Sequence, residues 1–530
     1  MTSVEPIPGG RAAARRAKGA GGAGSRRRLR RRRWLRAVAV TTGATLVAGC
    51  GAGYLYYRHL NGNIRAGTKN LTDSHGERTA PNAKGQTPLN ILLIGTDSRA
   101  SQENIDLGGS AGDASRPALA DVQMLLHVSA DRSNASLISI PRDTRVDIPA
   151  CHDEKGRQSA ALPRTMINTA LAQGGPGCVL GTWVALTGID IDHYMMVDFS
   201  GVVRMADAVG GVPVCVDRNM YDRYRPGHGG TGLKLTKGTH VVQGVQALQW
   251  LRTRDAWGSD INRTKAQHLY LNSMVRQLKS SGRMSDPGQL MSLAEAATKS
   301  LSVDKDLADL KKLYDLGEQL RQVPAERISS LTVPVVEDPS DRNRLLLKPG
   351  DTEQIWKMLI ADTPLDAKGA PAGTASGGPS APSSPSTPAA DAAVSAPAVA
   401  KGSVAVTVQN ASGGGTRAAR ISAALNAAGF TGARPAPGGG SRATTRLTYG
   451  SGQLAQAQAV AAALHLPADA LAESGPARGL TLVIGADWKS GTAFTAAPAP
   501  TAVPTSVAVE TADDDKNCMT VVPQGNLYTF

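Results

Sequence analysis

The stretch "NILLIGTDSR", residues 90–99, decides how the chain is read. Five apolar-biased positions run directly into a glycine, a hydroxyl, a carboxylate and a guanidinium. Ile91–Ile94 is nearly continuous apolar, as suits a strand in a sheet covered on both faces. In such sheets ligands sit beyond the carboxyl ends of the strands. Asp97 and Arg99 stand at that point with opposite charges. Either they pair with each other, or they share an anionic ligand through a metal ion.

Working outward, much of the 530-residue chain is not core-forming: aromatics are 4%, and its 58 Gly and 31 Pro are concentrated in tracts. The net charge of +14 suggests nucleic acid, but residues 1–36 alone supply +11 of it. The basic character is therefore a tail and not a groove, and it lacks any helix-turn-helix pattern. Residues 37–57, "AVAVTTGATLVAGCGAGYLYY", carry no charge over a length that crosses the hydrocarbon layer once. The flanking arginines place the N-terminus inside and everything from about residue 59 outside. The rival reading is a cleaved signal sequence, and "VAGC" at 47–50 resembles a lipobox with Cys50 as the lipid-bearing residue. Both put the bulk of the chain outside at the membrane face, and a polybasic segment beside a membrane span is explained by topology and anionic lipid rather than nucleic acid.

Residues 58–87 read as a polar stalk. From 88 to 364 short apolar strands alternate with helical stretches, the pattern of an α/β domain. Strands are expected at Ile91–Ile94, Val122–Val128, Ala135–Ile140, His193–Val197, Val212–Val216 and Ser329–Val335. Helices are expected at Met166–Gln173, Gly177–Leu186, Ser200–Val209, Val241–Leu251 and Asn262–Lys279, with two more within 286–321. Residues 365–401 form a Pro/Ala/Ser/Gly linker that cannot bury a core. A small βαβαβ domain follows at 402–490, and 491–530 returns to Ala/Pro/Thr bias and is expected to be disordered. On this division, chemistry survives removal of everything from 401 onward.

Four charged clusters lie at the ends of elements: Asp97 with Arg99; Asp121 at the entrance of "DVQMLLHV"; Arg142 and Asp143 after "LISIP"; and Arg252, Arg254, Asp255, Asp260, Arg263 and Gln267 in "LRTRDAWGSDINRTKAQ". Each alone reads as a turn with a surface ion pair. Together, several arginines and a few carboxylates without a Ser/His/Asp triad point to phosphate handling. Guanidinium grips phosphate oxygens bidentately, and Mg²⁺ or Mn²⁺ prefers one or two carboxylates completed by phosphate and water. The nine histidines are scattered, so zinc is not indicated.

The motifs "NILLIGTDSR", "LISIPRDTRVDIP", "INTALAQGG", "LTGIDIDHYMMVDFSG", "DAVGGVPV" and "ALQWLRTRD", with the Asp121 strand, resemble the LytR–CpsA–Psr family in order and spacing over roughly residues 88–280. Residues 402–488 look like the LytR C-terminal domain. The resemblance implies an α/β/α sandwich with a central mixed sheet. It also implies a single-pass membrane protein with an extracytoplasmic catalytic domain. Its activity would be transfer of a glycopolymer phosphate from a polyprenyl-pyrophosphate-linked glycan to peptidoglycan. It makes Asp97 and Asp121 the Mg²⁺-side carboxylates and Arg99, Arg142, Arg252 and Arg254 the pyrophosphate clamp, with Arg263 and Gln267 as further contacts. The family commonly has Arg-Ser before the Asp121 position, where this chain has Leu119-Ala120, and Arg-Gln-Gln after Arg263, where it has Lys265-Ala266-Gln267. Arg116 is a candidate to replace the lost arginine. Lys265 keeps a charge without the planar fork. Hydrolysis of the carrier and a non-enzymatic regulatory role are the competing functions, and Asp143 and Asp260 are both candidates for general base. A lipid carrier implies an apolar tunnel, with Ser200–Val209 and Asn262–Lys279 as candidate walls.

Of five cysteines, Cys50 lies in the apolar run. Cys151 and Cys178 flank a segment whose first half is polar, and a disulfide between them is expected in an oxidising exterior, pinning that loop near Arg142 and Asp143. Cys215, in the apolar strand "VPVCV", is expected as a buried free thiol, and Cys518 falls in the Ala/Pro/Thr tail.

Overall fold

In the computed structural model, the described residues are 22–108, 116–225, 230–280, 286–366 and 400–529, apart from gaps at 70, 75, 77, 80, 83, 413–415, 438–441, 443, 468–469, 474–478, 489, 496–499, 515–516 and 523–527. Residues 1–21 of the basic tail and 367–399 of the expected linker lie outside them. The chain divides into two units, Met1–Ile64 and Arg65–Phe530.

The first unit is one helix, α1, Gly22–Asn63. Its segment Trp34–Asn63 is long and apolar enough to cross a membrane. The helix begins earlier than the expected 37–57, because residues 22–36, eight of them arginine and two leucine, are mostly good helix formers with no proline among them. Residues 22–36, expected to be disordered, are helical for that reason.

The second unit is built on an eight-stranded mixed sheet. Its strands are β1 Arg65–Gly67, β2 Leu89–Thr96, β3 Ala120–Val128, β4 Ala135–Ser139, β5 His193–Val197, β6 Leu301–Asp304 and β7 Ile328–Thr332. The eighth is Glu510–Thr511, β13 in the numbering below. Their order is β1-β6-β5-β2-β3-β4-β7-β13. β2 pairs antiparallel with β3 and parallel with β5. As its apolar run required, β2 is central, with Ile91, Leu92 and Ile94 fully buried.

Besides the short Ala170–Gly174, where a helix was expected from Met166, the helices are α2 Gln102–Gly108, α3 Pro176–Thr187, α4 Phe199–Ala208, α5 Gly244–Arg252, α6 Asp260–Ser280, α7 Pro287–Ser300, α8 Leu310–Gln322 and α9 Asp351–Ile360. Val241 and Val242 belong not to the helix once expected there but to a strand, Gly238–Val242, paired with Val212–Val216. On one face of the sheet, Leu92, Leu125 and Ile138 pack with Trp183 of α3 and Trp356 of α9. The buried Gln123 in this layer is satisfied. It accepts a hydrogen bond from Trp183 Nε1 at 2.7 Å and donates to the Ala120 and Ile167 carbonyls at 3.2 Å each.

The smaller domain has a five-stranded sheet and two helices, rather than the expected three strands and two helices. Its elements are β8 Ala405–Asn410, α10 Arg417–Ala427, β9 Gly432–Ala436, β10 Arg446–Tyr449, α11 Leu454–Leu464, β11 Leu471–Glu473 and β12 Leu480–Ile484. Val406, Val408, Ile421, Leu425, Phe430 and Trp488 form its core.

Three expectations need correction. The stalk 58–87 is not free: Arg65–Gly67 pairs with Leu301–Asp304, and Leu71 exchanges backbone hydrogen bonds with Gly177 and His152. The described residues of the tail 491–530 are not disordered either. β13, Glu510–Thr511, pairs antiparallel with Ser329 and Ser330 of β7, and Met519, Val521 and Tyr528 are buried with Val214, Trp250 and Trp257. Cys215 is not a free thiol, because it forms a disulfide with Cys518, while Cys151 is joined to Cys178. Cys50 is the one free cysteine among the described residues, and it is exposed. A few apolar residues in a Pro/Ala-biased stretch suffice to bury it when a preformed groove and a covalent tie await them.

Candidate functional site

A cavity of about 260 Å³ opens beyond the carboxyl end of β2. Its lining holds six arginines, Arg99, Arg116, Arg142, Arg252, Arg254 and Arg263, against three aspartates, Asp97, Asp121 and Asp198. All eight residues singled out from the sequence (Asp97, Arg99, Asp121, Arg142, Arg252, Arg254, Arg263 and Gln267) are brought together here.

The backbone at the floor explains the glycine near the end of β2. A Cβ on Gly95 would lie 2.9 Å from Val122 Cβ, so only glycine lets β2 and β3 close beneath the cavity. Asp97, 5% exposed, then accepts the Leu119 amide at 2.7 Å and pairs with Arg116. Asp121, at the start of β3, accepts from Arg142 Nη1 at 3.2 Å and from Asn168 Nδ2 at 3.3 Å. Asp97 thus pairs with Arg116, and its neighbour Arg99 lines the same cavity.

Asp260, at the first turn of α6, gathers three arginines. Arg263 Nη2 reaches it at 3.1 Å, Arg254 Nε at 3.3 Å and Arg142 Nε at 3.9 Å. Burial works against the Arg142 charge, but Asp121, Asp143 and Asp260 outweigh it and hold its pKa above the ordinary value. Arg263 is more deeply buried, and desolvation together with Arg142 and Arg254 overcomes Asp260, lowering its pKa to about 10. Arg252 is clamped differently. Its two terminal nitrogens donate to the Leu107 and Gly108 carbonyls at 2.9 Å each, and its guanidinium lies 4.8 Å above the Phe199 ring. Gly108 is needed there, since a Cβ would sit 2.2 Å from the Phe199 ring. Arg252 ends α5 and Arg254 lies beyond it, so the helix terminus lets two residues only two apart face one cavity.

Neither Asp143 nor Asp260 lines the cavity. Asp143 lies between Arg142 at 3.5 Å and Arg344 at 3.9 Å. Lys265 is also elsewhere: on α6, positions 263 and 267 share the cavity face, whereas Lys265 points away and pairs with Glu510 at 3.2 Å. Arg116 does enter the site. Sequence reasoning passed over Asn168, Asp198 and Phe199. Asp198 caps α4, accepting from the Gly201 amide at 2.9 Å, and also accepts from Asn104 at 3.0 Å. Burial tends to raise its pKa, and these bonds with Ser200 and Arg65 more than offset that. The cap signal, an Asp followed by Phe-Ser-Gly at a helix start, was present in the sequence.

Next to this cavity lies an apolar one of about 240 Å³, lined by Leu93, Met124, Met195, Val202, Met205 and Met274 among others. The two share Gly95, Val122, Val197, Val202, Leu251 and Gln267 as wall residues. Of the tunnel positions expected on α4 and α6, Val202, Leu271 and Met274 line it, whereas Ala206 is packed in the core.

Two carboxylates on one polar cavity suit a hard cation whose shell is completed by substrate oxygens and water. Among the described residues no group of three or more His, Cys, Asp or Glu forms an all-protein cage.

Comparison with known proteins places this arrangement. The chain matches the LytR_cpsA_psr family over residues 56–360 and, over 403–488, the family described as LytR cell envelope-related transcriptional attenuator. It is 28% identical over 327 residues to the cell wall biosynthesis protein LcpA of Corynebacterium glutamicum, covering 57% of this chain and 60% of that protein. It is 28% identical over 244 residues to the polyisoprenyl-teichoic acid–peptidoglycan teichoic acid transferase TagU of Bacillus mycoides, covering 46% and 69%. The chain spans 60% and 48% of the lengths of LcpA and of the probable cell wall biosynthesis protein LcpB of the same organism. The crystal structure of B. subtilis TagV matches with a TM-score of 0.41 and 21% identity, over 52% of this chain and 98% of that one. The match over 56–360 takes in more than half of the sequence and every arginine of the cavity, and by it the chain belongs to the LytR–CpsA–Psr family.

Proposed function

We propose that this chain is a membrane-anchored phosphotransferase that moves a glycopolymer from a polyprenyl-pyrophosphate carrier to a hydroxyl of peptidoglycan. The observation that carries the reading is the junction of the two cavities. An arginine-rich cavity shares its wall with an apolar one, and a pyrophosphate joined to an isoprenoid chain has the same two halves. The family relatives named for teichoic acid transfer to peptidoglycan support the same reaction class. The apolar segment Trp34–Asn63 supports an anchor, and the basic residues before it favour a cytoplasmic N-terminus.

In this reading the acceptor oxygen attacks the phosphorus nearer the glycan. The bond from that phosphorus to the bridging oxygen breaks, polyprenyl phosphate departs, and the hydroxyl proton is released. Arg99, Arg142, Arg252 and Arg254 neutralise the charge that builds on the departing phosphate, with Arg263, Arg116 and Gln267 around them. Asp97 and Asp121 are the residues that would hold Mg²⁺ or Mn²⁺, which when bound would neutralise pyrophosphate oxygens. Asp260 orients three arginines, which does not favour it as the base.

The full chain in detergent, incubated with a synthetic polyprenyl-pyrophosphate glycan and peptidoglycan oligomers, should yield a phosphodiester-linked product by mass spectrometry. Excess EDTA should abolish it, and Mg²⁺ or Mn²⁺ should restore it. Release of free glycan phosphate without a linked product would favour hydrolysis and overturn the transferase reading. Full activity in EDTA would remove the metal.

A further inference from the structure

On the far side of α6 from the arginines lies a larger cavity, about 440 Å³, that the transfer chemistry does not use. One wall is α6 (Asn262, Lys265, His268), the second is β7 and its continuation through Val336, and the third is Ser506–Ala508 with Glu510. The last wall comes from the segment that follows the small domain.

Two buried polar atoms on this cavity have no hydrogen-bond partner among the described residues. His268 is 2% exposed and its Nε2 is unpaired. Glu510 gives one carboxylate oxygen to Lys265 at 3.2 Å, while the other, Oε2, is buried and unpaired. A buried carboxylate oxygen left without a donor is costly, and such groups commonly mark a ligand site. The backbone adds a third feature. β13 pairs with β7 only at Ser329 and Ser330. The Val333 amide bonds to the Ser139 carbonyl on the β4 side at 3.0 Å, so by alternation Thr332 turns its amide and carbonyl the other way, toward the cavity. An unfilled sheet edge of this kind accepts an extended chain as an added strand. The remaining lining is small and aliphatic (Val333, Val335, Val507, Ala508), with no Phe, Tyr or Trp ring among the described lining residues on which a sugar could stack. The charges at the rim are already matched, Lys265 with Glu510 and Lys348 with Asp351 at 2.7 Å.

We infer that this cavity binds a short, uncharged, extended peptide with small side chains, which lies along Thr332 and donates amide N–H groups to Glu510 Oε2 and His268 Nε2. The site is separate from the arginine cavity, and its occupancy does not depend on the transfer reaction.

The test is titration of the full chain in detergent, by calorimetry and saturation-transfer NMR, with N-acetyl-trialanine methylamide. Parallel titrations use its fully N-methylated analogue and N,N′-diacetylchitobiose. Saturable binding of the first is expected, with Glu510→Gln weakening it about tenfold, as for loss of a hydrogen bond to a charged acceptor. The N-methylated peptide, which keeps the bulk but has no N–H, should not bind; this arm decides the matter if the Glu510→Gln chain is poorly folded. Binding of the chitobiose instead of the peptide, equal binding of the N-methylated form, an unaltered affinity in a folded Glu510→Gln chain, or no binding at all would each overturn the proposal.

Discussion

Arg263 and Asp260, one turn apart on α6, meet at 3.1 Å with both side chains largely buried, and the same carboxylate receives Arg254 and Arg142. Asp260→Ala should therefore misplace three arginines at once. Removing one member of a buried charge network leaves the others uncompensated, at a cost of about 3–5 kcal/mol. The expected outcome is a lowered Tm together with at least a hundredfold loss of transfer. Asp260→Asn keeps the shape and should recover most of the Tm but little of the activity. Thermal unfolding and single-turnover transfer on the same samples check both halves. Wild-type activity in the folded Asn variant would show that Asp260 does not organise the arginines.

Arg252 and Arg254 should separate by their surroundings, although two residues apart. Arg252 holds the Leu107–Gly108 backbone and covers Phe199, so Arg252→Ala should cost stability as well as transfer. Arg254 is nearly half exposed, and its one ion pair among the described residues is with Asp260, so Arg254→Ala should leave the Tm almost unchanged. Both should lose on the order of 100-fold in transfer, the usual cost of removing one stabiliser of developing charge. Lysine at 254 should restore part of the rate, but at 252 little, because two carbonyls and a ring need the planar fork. Calorimetry beside kinetics on the four variants decides it.

How far the site was legible follows from where its residues sit. Asp97, Asp121 and Arg142 lie at the ends of strongly apolar strands, so their positions at one sheet edge follow from β2, β3 and β4 being neighbours. Arg263 and Gln267 follow from helical spacing. Arg116 sits outside any helix or strand, and only its ion pair with Asp97 brings it in. Asp198 and Phe199 were visible as a helix start, but their part in shaping the cavity depends on α2 packing against α4, a contact between distant segments. The strands Leu301–Asp304 and Glu510–Thr511 escaped for a related reason: four and two residues carry too little pattern, and their pairing is dictated by open edges already present. The βα alternation gave the fold class; edge strands and the tail needed the tertiary structure.

Acid should destabilise the fold through His268. Burial lowers its pKa from 6.5 to about 4. The folded state thus resists a proton that the unfolded chain accepts, so this contribution is fully present above pH 6.5 and is lost as the pH falls from 6.5 toward 4. The span corresponds to roughly 3 kcal/mol at most. Replacing His268 with Leu should flatten the fall in Tm between pH 6.5 and 4 while leaving other acid transitions in place. An unchanged pH profile in that variant would show that the imidazole is not the group responsible.

The closing prediction concerns the segment after the small domain. Met519, Val521 and Tyr528 bury against Trp250 and Trp257, and Trp250 stands two residues before Arg252 on α5. The Cys215–Cys518 bond closes a loop of 303 residues. In the chain-entropy model such a loop is worth on the order of 5 kcal/mol, an upper figure for a link this long. Tyr528 further stacks with Arg225 at 4.9 Å. Stopping the chain at 490 should therefore do more than remove an appendage. Each large side chain withdrawn from the cluster forfeits roughly 1.5–3 kcal/mol of burial and bares an indole at the root of the helix that carries Arg252. Cys518→Ser in the otherwise intact chain isolates the covalent part. It should lower the Tm under non-reducing conditions and make it insensitive to a reductant dose that opens this bond alone. Truncation at 490 should lower the Tm further and reduce transfer, since Trp250 then loses its cover. Non-reducing peptide mapping should find Cys151 with Cys178 and Cys215 with Cys518. A truncated chain with unaltered Tm and rate, or alkylation of Cys215 without reductant, would show that the tail does not support the arginine cavity.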